Sequence, residues 1–247
     1  MKYLIVGGVA GGASTVARLR RLDEHSEIVM FEKGAYISYA NCGLPYYIGD
    51  IIPERAKLFV QTPENFKLRF NVDVRTNEEV VSIDRENKSV VVKRLIDDTY
   101  YTEHYDKLVL SPGAEPIKPP LKGIDLEGIY TLRNVPDTDQ IKAVVTKYPK
   151  GKAVVIGGGF IGLEMAENLH HLGMNVSIIE MSNQIMAPSD FPIAAMAQQH
   201  IRNKGIDLRL KTAVSGFEQN SGRLLVLLND GSEIEADFVI LSIGVKP

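Results

Sequence analysis

The sequence predicts an α/β fold with two Rossmann-like, three-layer domains that each carry a β-meander. Three observations lead to this prediction. The chain opens with a strand, a glycine loop, a helix and a second strand; the same order returns near residue 152; and short β-branched runs follow each copy. A length of 247 residues suits one or two domains of ordinary size.

The composition excludes several classes of protein. Apolar residues make up 45% and charged residues 24% of the chain, which is typical of globular proteins. The 28 basic and 31 acidic residues nearly cancel, so nucleic acid is not expected as a partner. No apolar run approaches the roughly 18 residues that span a bilayer, and the start becomes glycine-rich too early for a secretory signal. We therefore expect a soluble, cytoplasmic protein with no membrane partner.

The first copy of the repeat occupies the N-terminus. Residues 2–6 are predicted as a strand, residues 13–22 as a helix, and residues 27–31 as a strand that ends at Glu32. The loop between the first strand and the helix consists of Gly7, Gly8, Val9, Ala10, Gly11 and Gly12. Such a loop places the free N–H groups of a helix N-terminus toward an anion, which suits the diphosphate of a dinucleotide.

The second copy has the complete glycine pattern. Residues 153–156 and 176–179 are predicted as strands around a helix at about 161–172, and the second strand ends at Glu180. Gly157, Gly159 and Gly162 fill the pattern G-x-G-x-x-G, whereas Val9 holds the middle position of the first loop. Two such units in one chain imply an electron relay between two dinucleotides, FAD and NAD(P)H.

An acidic residue at the end of the second strand accepts hydrogen bonds from the adenosine ribose. Glu32 and Glu180 stand at the required distance after their glycine loops. Because a carboxylate repels a 2′-phosphate and no arginine follows Glu180 closely, NADH is expected in preference to NADPH.

Further strands are predicted after each copy of the repeat. They cover residues 80–83, 89–93 and 108–110 in the first half, and residues 213–218, 223–228 and 234–241 in the second. Glycines follow two of them, in Ser111-Pro112-Gly113 and Ile243-Gly244, where backbone would approach a ligand closely. The proline-rich residues 116–120 predict a linker, so we place one domain at 1–113 and the other at 114–247.

Cys42 is the only cysteine of the chain, so it cannot form an internal disulfide, and the histidines show no metal-ligand spacing. A helix that begins near Cys42 would lower the pKa of its thiol. A buried, inert cysteine is the usual alternative, but the dinucleotide loops favour a redox role. A single thiol would then cycle through a mixed disulfide, a persulfide or a sulfenic acid.

Several segments together resemble the coenzyme A-disulfide reductase branch of the flavin-dependent pyridine nucleotide-disulfide oxidoreductases, a branch that includes NADH-dependent persulfide reductases. They are residues 7–12 (GGVAGG), Glu32-Lys33, residues 38–46 (SYANCGLPY) and residues 157–164 (GGGFIGLE). Valine at the middle loop position is usual in that branch. Residues 108–113, 131–134 and 241–247 also match, so the resemblance covers the whole chain.

The resemblance implies a flavoenzyme. FAD would bind in residues 1–113 and NADH in residues 114–247. Hydride would pass from the nicotinamide, near Phe160, Ile161 and Glu164, to the flavin and then to Cys42 as the catalytic thiol. The implied cofactor contacts are Gly7, Gly8, Val9, Ala10, Gly11, Gly12, Glu32, Lys33, Asn41, Val80, Ser111, Pro112, Gly113, Arg133, Gly157, Gly158, Gly159, Phe160, Ile161, Gly162, Glu164, Glu180, Ile243 and Gly244.

The resemblance also implies the substrate. Cys42 would reduce coenzyme A disulfide, or a coenzyme A-type persulfide or polysulfide. The implied substrate contacts are Ser14, Arg18, Arg21, Ser38 and Asn41. Arg18 and Arg21 share a helix face, where they could meet phosphates, although a solvated helix surface is an equally good interpretation of both.

Members of this family continue for about as long again, with a second flavin-binding segment and a dimerisation domain whose tyrosine acts at the partner's cysteine. The sequence is therefore expected to be a truncated form that binds FAD weakly or not at all, and the homodimer belongs to the full-length parent. Two alternatives remain: an NADH oxidase or peroxidase that uses a cysteine sulfenic acid, and a non-catalytic nucleotide-binding module.

Overall fold

The computed structural model describes residues 1–220 and 222–247, and it divides into two compact units. The first contains residues 1–40 and 56–113 with Pro247, and the second contains residues 41–55 and 114–246. The predicted domain boundaries placed residues 41–55 in the first domain, but their contacts join them to the second unit. The assignment of one cofactor to each domain stays a prediction.

Six α-helices are present among the described residues. They are α1 (Ala10–Leu22), α2 (Leu44–Ile48), α3 (Pro63–Phe70), α4 (Val135–Lys147), α5 (Phe160–His171) and α6 (Phe191–Asn203). Short 3₁₀ turns cover Asn41–Gly43 and Arg55–Leu58. Within the described ranges, no helix has both the length and the apolar character needed to cross a membrane.

The strands fall into parallel sheets and antiparallel meanders. They are β1 (Lys2–Val6), β2 (Glu27–Glu32), β3 (Asp73–Thr76), β4 (Glu78–Asp84), β5 (Ser89–Arg94), β6 (Tyr100–His104), β7 (Lys107–Leu110), β8 (Glu115–Pro116), β9 (Ile129–Tyr130), β10 (Lys152–Ile156), β11 (Asn175–Ile179), β12 (Asp207–Arg209), β13 (Val214–Asn220), β14 (Arg223–Leu228), β15 (Glu233–Ala236), β16 (Phe238–Leu241) and β17 (Val245–Lys246).

The first unit has three layers. Its central sheet is parallel, in the order β3-β2-β1-β7, and β4, β5 and β6 form the meander. Because successive strand residues face opposite sides, Ile5 packs with Val16 of α1 whereas Leu4 packs with Val90 and Val92 of the meander. The sheet is therefore covered by helices on one face and by the meander on the other.

The second unit repeats this plan. Its parallel sheet has the order β12-β11-β10-β16-β9, and β13, β14 and β15 form the meander. Val154 and Ile156 of β10 pack with Val226 of the meander, in a core that also contains Phe217. The predicted α/β fold, with two Rossmann-like, three-layer parts that each carry a meander, is confirmed.

Three details of the prediction were wrong. The run 234–241 is not one strand: it breaks at Asp237, whose side chain accepts a hydrogen bond from the Lys152 N–H at 2.7 Å, and its two halves join different sheets. The strand β6 was not predicted, and it completes the meander beside β5. The predicted strand at 108–110, which is β7, pairs with β1 in the parallel sheet and is not part of the meander. Pro116 is not merely part of a linker, since it pairs with Val245 in a short antiparallel ladder.

Candidate functional site

The first glycine loop has no room for a side chain at its first and last positions. Gly7 has a left-handed backbone (φ +99°), and a Cβ atom there would lie 2.0 Å from the carbonyl oxygen of Ser111. A Cβ atom on Gly12 would lie 1.7 Å from the carbonyl oxygen of Gly7. These two contacts show why glycine is needed at the first and last positions, for the turn and for close packing of α1 on β1.

The carboxylate of Glu32 holds this loop in place. Its two oxygens accept hydrogen bonds from the backbone N–H groups of Gly8 and Gly34, both at 2.7 Å. Ile37 is fully buried, and its side chain would meet a Cβ atom on Gly8 at 2.7 Å. Because each carboxylate oxygen has a further lone pair, Glu32 can still accept a hydrogen bond from a ligand hydroxyl.

The second glycine loop has the same geometry. Gly157 also has a left-handed backbone (φ +108°), and its Cβ atom would lie 2.3 Å from the Ser242 carbonyl oxygen. A Cβ atom on Gly162 would lie 2.1 Å from the Gly157 carbonyl oxygen. Gly159 differs from both, because nothing lies within 4 Å of its Cβ position. That position is open to a ligand.

Glu180 serves the second loop as Glu32 serves the first. Its carboxylate accepts hydrogen bonds from the Gly158 N–H at 2.6 Å and from the Ser182 N–H at 2.7 Å. Ile185 is fully buried and lies beside Gly158, as Ile37 lies beside Gly8. The acidic residue of each unit therefore stabilises the backbone that would receive a nucleotide.

The helices after both loops begin without a cap. Neither α1 nor α5 has a side-chain cap or an acidic residue in its first turn. In contrast, α4 begins with a capping box in which Asn134 and Asp137 satisfy each other's backbone N–H groups. The first N–H groups of α1 and α5 thus remain available to an anion, and the glycine positions leave the backbone accessible. Both loops fit the diphosphate of a dinucleotide.

Cys42 lies in the second unit, in the 3₁₀ turn Asn41–Gly43 that leads directly into α2. Its side chain is exposed and the thiol is free. The helix expected near Cys42 begins at Leu44 and is only five residues long. The structure therefore presents an accessible thiol at the start of a short helical segment.

Charges from α5 act on this segment. The pKa of Tyr46 is raised by the negative charge of Glu164, then by burial, and then by Glu167 and Cys42. The pKa of Glu164 is itself raised, first by partial burial and then by Glu167. Glu164 belongs to the predicted nicotinamide contacts, so the cysteine segment and that part of α5 influence each other electrostatically.

A family model described as pyridine nucleotide-disulphide oxidoreductase matches residues 1–247. The chain belongs to this family. The resemblance inferred from the glycine loops and the cysteine segment is thus confirmed, and the structural neighbours confirm the α/β fold.

Family members of known name are similar over the whole chain. The coenzyme A disulfide reductase of Staphylococcus haemolyticus is 36% identical over 246 residues, which are 100% of this chain and 54% of that protein. Reduced CoADR-RHD of Bacillus anthracis is 51% identical with a TM-score of 0.96 and is covered to 44%. An NAD-dependent persulfide reductase of A. fulgidus is 36% identical with a TM-score of 0.94 and is covered to 46%. This chain thus spans about half the length of these family members.

Among the remaining predicted cofactor contacts, Ser111 touches the glycine loop of its unit, and the others lie elsewhere in the two units. Ser111 lies against Gly7 and Gly11, and Ser242, which was not predicted, has the same place beside Gly157 and Gly162. Val80 packs on the core between the first sheet and its meander, and Lys33 pairs with Glu79 at 3.0 Å. Two contacts follow β7 (Pro112, Gly113), two follow β16 (Ile243, Gly244), and one precedes α4 (Arg133). Their contact with a cofactor stays a prediction.

The predicted substrate contacts are only partly brought together. Ser14, Arg18 and Arg21 lie on one exposed face of α1, in the first unit. Ser38 has a left-handed backbone (φ +45°), and its N–H donates to the Gly8 carbonyl at 2.9 Å. Asn41 belongs to the second unit. The middle arginine of the helix, Arg20, bonds four backbone carbonyls, of Asp23, Glu24, Phe70 and Asn71, and so has a structural role.

Other residues of the candidate site were missed by the sequence analysis. Lys142 and Asn168 contact the cysteine segment from α4 and α5. No sequence pattern could have found them, because their partners lie more than 90 residues away. Ile37 and Ile185 had a weak signal, since each is an apolar residue five positions after the acidic residue of its unit.

Proposed function

We propose that this protein is an NADH-dependent flavoprotein reductase that uses FAD and the single thiol of Cys42 to reduce coenzyme A disulfide, or a coenzyme A-type persulfide or polysulfide. One observation carries the proposal: two preformed dinucleotide loops occur in one chain that has one exposed cysteine. Membership of the pyridine nucleotide-disulphide oxidoreductase family and the names of the similar proteins support it.

The residues of the first loop would hold FAD and those of the second loop would hold NADH. In each unit the uncapped helix N-terminus would receive the diphosphate, and Glu32 or Glu180 would accept hydrogen bonds from the adenosine ribose. Bound FAD would supply a carrier that accepts two electrons from NADH and delivers them to sulfur. The exposed edge of α5, with Phe160 at 60% exposure, would meet the nicotinamide.

Cys42 would act as a nucleophile. Its thiolate attacks one sulfur of a substrate disulfide, the S–S bond breaks, and one thiolate leaves while a mixed disulfide forms on Cys42. Two electrons from NADH then break the mixed disulfide, release the second thiol and restore the Cys42 thiolate. The balance is one NADH, one proton and one disulfide consumed, with NAD⁺ and two thiols formed.

Several finer features belong to the same proposal. NADH would be preferred over NADPH because the Glu180 carboxylate would repel a 2′-phosphate. The exposed α1 face would bind the phosphates of coenzyme A, and Ser38 and Asn41 would contact its pantetheine arm. The protein would act in the cytoplasm as a homodimer on small-molecule thiol compounds.

The decisive experiment compares wild-type protein with Cys42→Ser. The full-length parent is purified with FAD, and NADH oxidation is followed without oxygen after addition of coenzyme A disulfide. We expect acceptor-dependent turnover in the wild type and a loss of at least 10³-fold in Cys42→Ser, because the thiol that would form the mixed disulfide is gone. Turnover retained by the variant would remove Cys42 from the reaction.

The same preparation separates the alternatives. Faster NADH oxidation with oxygen or peroxide than with coenzyme A disulfide would favour an oxidase or peroxidase that cycles through a sulfenic acid. Protein that takes up no flavin and oxidises no NADH, but binds NADH, would favour a nucleotide-binding module.

A further inference from the structure

The segment that carries Cys42 is fastened to the second unit by three separate contacts. Lys142 of α4 binds the end of α2, Asn168 of α5 packs on Gly49, and Arg55 forms a two-pronged ion pair with Asp139 of α4. The helix α2 is too short to be stable by itself, because a single helical turn is marginal in water. Its position therefore comes from tertiary packing, in which Leu44, Pro45 and Ile48 are buried and to which these three contacts add.

Lys142 makes the most concentrated of them. Its ammonium group donates to the Ile48 carbonyl, the last of α2, at 2.9 Å and to the Asp50 carboxylate at 2.5 Å. It also lies 5.6 Å from the centre of the Tyr47 ring, within the range of a cation–π contact. Asp50 has a left-handed backbone (φ +63°), so the ion pair stabilises a conformation that aspartate adopts at some cost.

Asn168 fixes the same corner from the other side. It is fully buried and its amide nitrogen donates to the Glu164 carbonyl at 2.8 Å. A Cβ atom on Gly49 would lie 2.1 Å from its side-chain oxygen, so the backbone of the segment approaches α5 as closely as glycine permits. The end of α2 is thus held between α4 and α5.

Movement at this corner would reach the thiol. The 3₁₀ turn Asn41–Gly43 continues into α2 without an intervening loop, and Pro45 restricts the backbone at the junction. The Gly49 and Ile51 N–H groups bond the carbonyls of Pro45 and Tyr46, both at 2.9 Å, which ties the corner to the middle of α2. Cys42 and the Lys142 contact therefore lie at opposite ends of one short, continuous helical piece.

We propose that Lys142 is a positioning residue for Cys42. By anchoring the C-terminal end of α2 to α4, it fixes the orientation in which the thiol meets its disulfide. This inference rests on the proposed reaction of Cys42, but it concerns a residue on another helix, 100 positions further along the chain.

The first test measures the anchor without turnover. Lys142→Met keeps the length of the side chain but removes its charge and both hydrogen bonds. We expect the amides of residues 49–52 to exchange with deuterium about tenfold faster or more, since a hydrogen bond to a charged group is lost. Lys142→Arg should restore slow exchange. Lys147→Met, at an exposed position of the same helix, is the control and should change nothing.

The second test measures the thiol. Cys42 is the only cysteine, so the mass increase with N-ethylmaleimide reports this residue alone. In Lys142→Met we expect alkylation at least threefold faster, and turnover with coenzyme A disulfide at a kcat about tenfold lower with an unchanged KM for NADH. Lys142→Arg should recover both values. If Lys142→Met does not fold, Asp50→Asn removes the ion pair while tolerating the left-handed backbone, and should show the same changes.

The outcomes separate this inference from the proposed function. Unchanged amide exchange in Lys142→Met would overturn the anchor, and faster exchange with unchanged alkylation and kcat would overturn the positioning role. Neither result would affect the role of Cys42 itself. Full turnover in Cys42→Ser would instead overturn the proposed function, and it would leave the exchange result in place.

Discussion

The two glycine loops show which parts of a dinucleotide site are fixed and which are free to vary. Both have a left-handed first glycine, a last glycine that no side chain could replace, and a carboxylate bound to the second backbone N–H. They differ at the middle position, where the first loop has Val9 and the second has Gly159. The backbone at this position differs, with ψ −130° at Val9 and 178° at Gly159, yet the first and last glycines make the same close contacts in both loops. The middle glycine is therefore not needed to form the loop.

The comparison explains why the first loop keeps its two close glycine contacts although Val9 departs from the pattern G-x-G-x-x-G. A substitution is excluded only where the Cβ atom would strike backbone, as at Gly12, because backbone cannot move aside cheaply. At the middle position of the second loop nothing lies within 4 Å of a Cβ atom on Gly159, so the protein itself leaves room for a side chain there. The two loops therefore need the same fold but do not need the same sequence.

The largest expected effect concerns the last glycine of each loop. Gly12→Ala and Gly162→Ala place a Cβ atom within 1.7 and 2.1 Å of a carbonyl oxygen, so each should destabilise its unit by about 3 kcal/mol. Thermal unfolding would measure the loss. Gly159→Ala is the matched control and should stay within about 0.5 kcal/mol of the wild type. Equal losses in all three variants would break the distinction between fixed and free positions.

An intermediate effect is expected at the acidic residues. Glu180→Ala leaves the Gly158 and Ser182 N–H groups without their carboxylate, so NADH affinity should fall at least tenfold, which corresponds to about 1.5–3 kcal/mol. FAD affinity should not change. Glu32→Ala should do the reverse. Isothermal titration with each nucleotide would check both, and a variant that weakens both nucleotides equally would contradict the independence of the two loops.

The smallest effect concerns the residue two positions after the last glycine, Ser14 in α1 and Glu164 in α5. Folding raises the pKa of Glu164 above its ordinary value of 4.5, because partial burial and Glu167 disfavour its charge. The folded chain therefore holds this proton to higher pH, and the contribution of Glu164 to stability falls as pH rises above 4.5.

Glu164→Gln removes this titration. The variant should be slightly more stable than the wild type at neutral pH, and the difference should shrink as pH falls toward 4.5, below which Glu164 is protonated in both the folded and the unfolded chain. Urea unfolding at several pH values would measure it. Ser14→Ala, the matched change in the first unit, should give a difference that does not vary with pH; a pH-dependent difference there would show that the effect does not come from Glu164.

The sequence predicted best what repeats locally. The strands, glycine loops and acidic residues could be found because strand and helix periods and turn glycines act over a few residues. Two of the missed helices also had local signals: Thr62-Pro63 begins α3, and the Asn134–Asp137 capping box begins α4. The buried residues Val135, Ile141, Val144 and Val145 of α4 also have helical spacing.

The rest depended on contacts between distant parts of the chain. Nothing in residues 41–55 indicates that they pack on α4 and α5, since their partners Lys142 and Asn168 are remote in sequence and lysine is most often exposed. The break at Asp237 likewise depends on the Lys152 N–H, which a reading of strand propensity cannot include. Polar contacts between residues far apart in sequence therefore position the candidate site, and strand or helix propensity does not reveal them.

The excursion of residues 41–55 into the second unit has a practical consequence for dissecting the molecule. A single cut after Gly113 would not yield the two units, because the C-terminal fragment would lack the residues that cover Asn168 and pair with Asp139. An isolated fragment of the second unit would need Asn41–Arg55 grafted back by a linker or supplied as a separate peptide. If the added peptide binds the fragment, it would restore Cys42 to its position in the second unit.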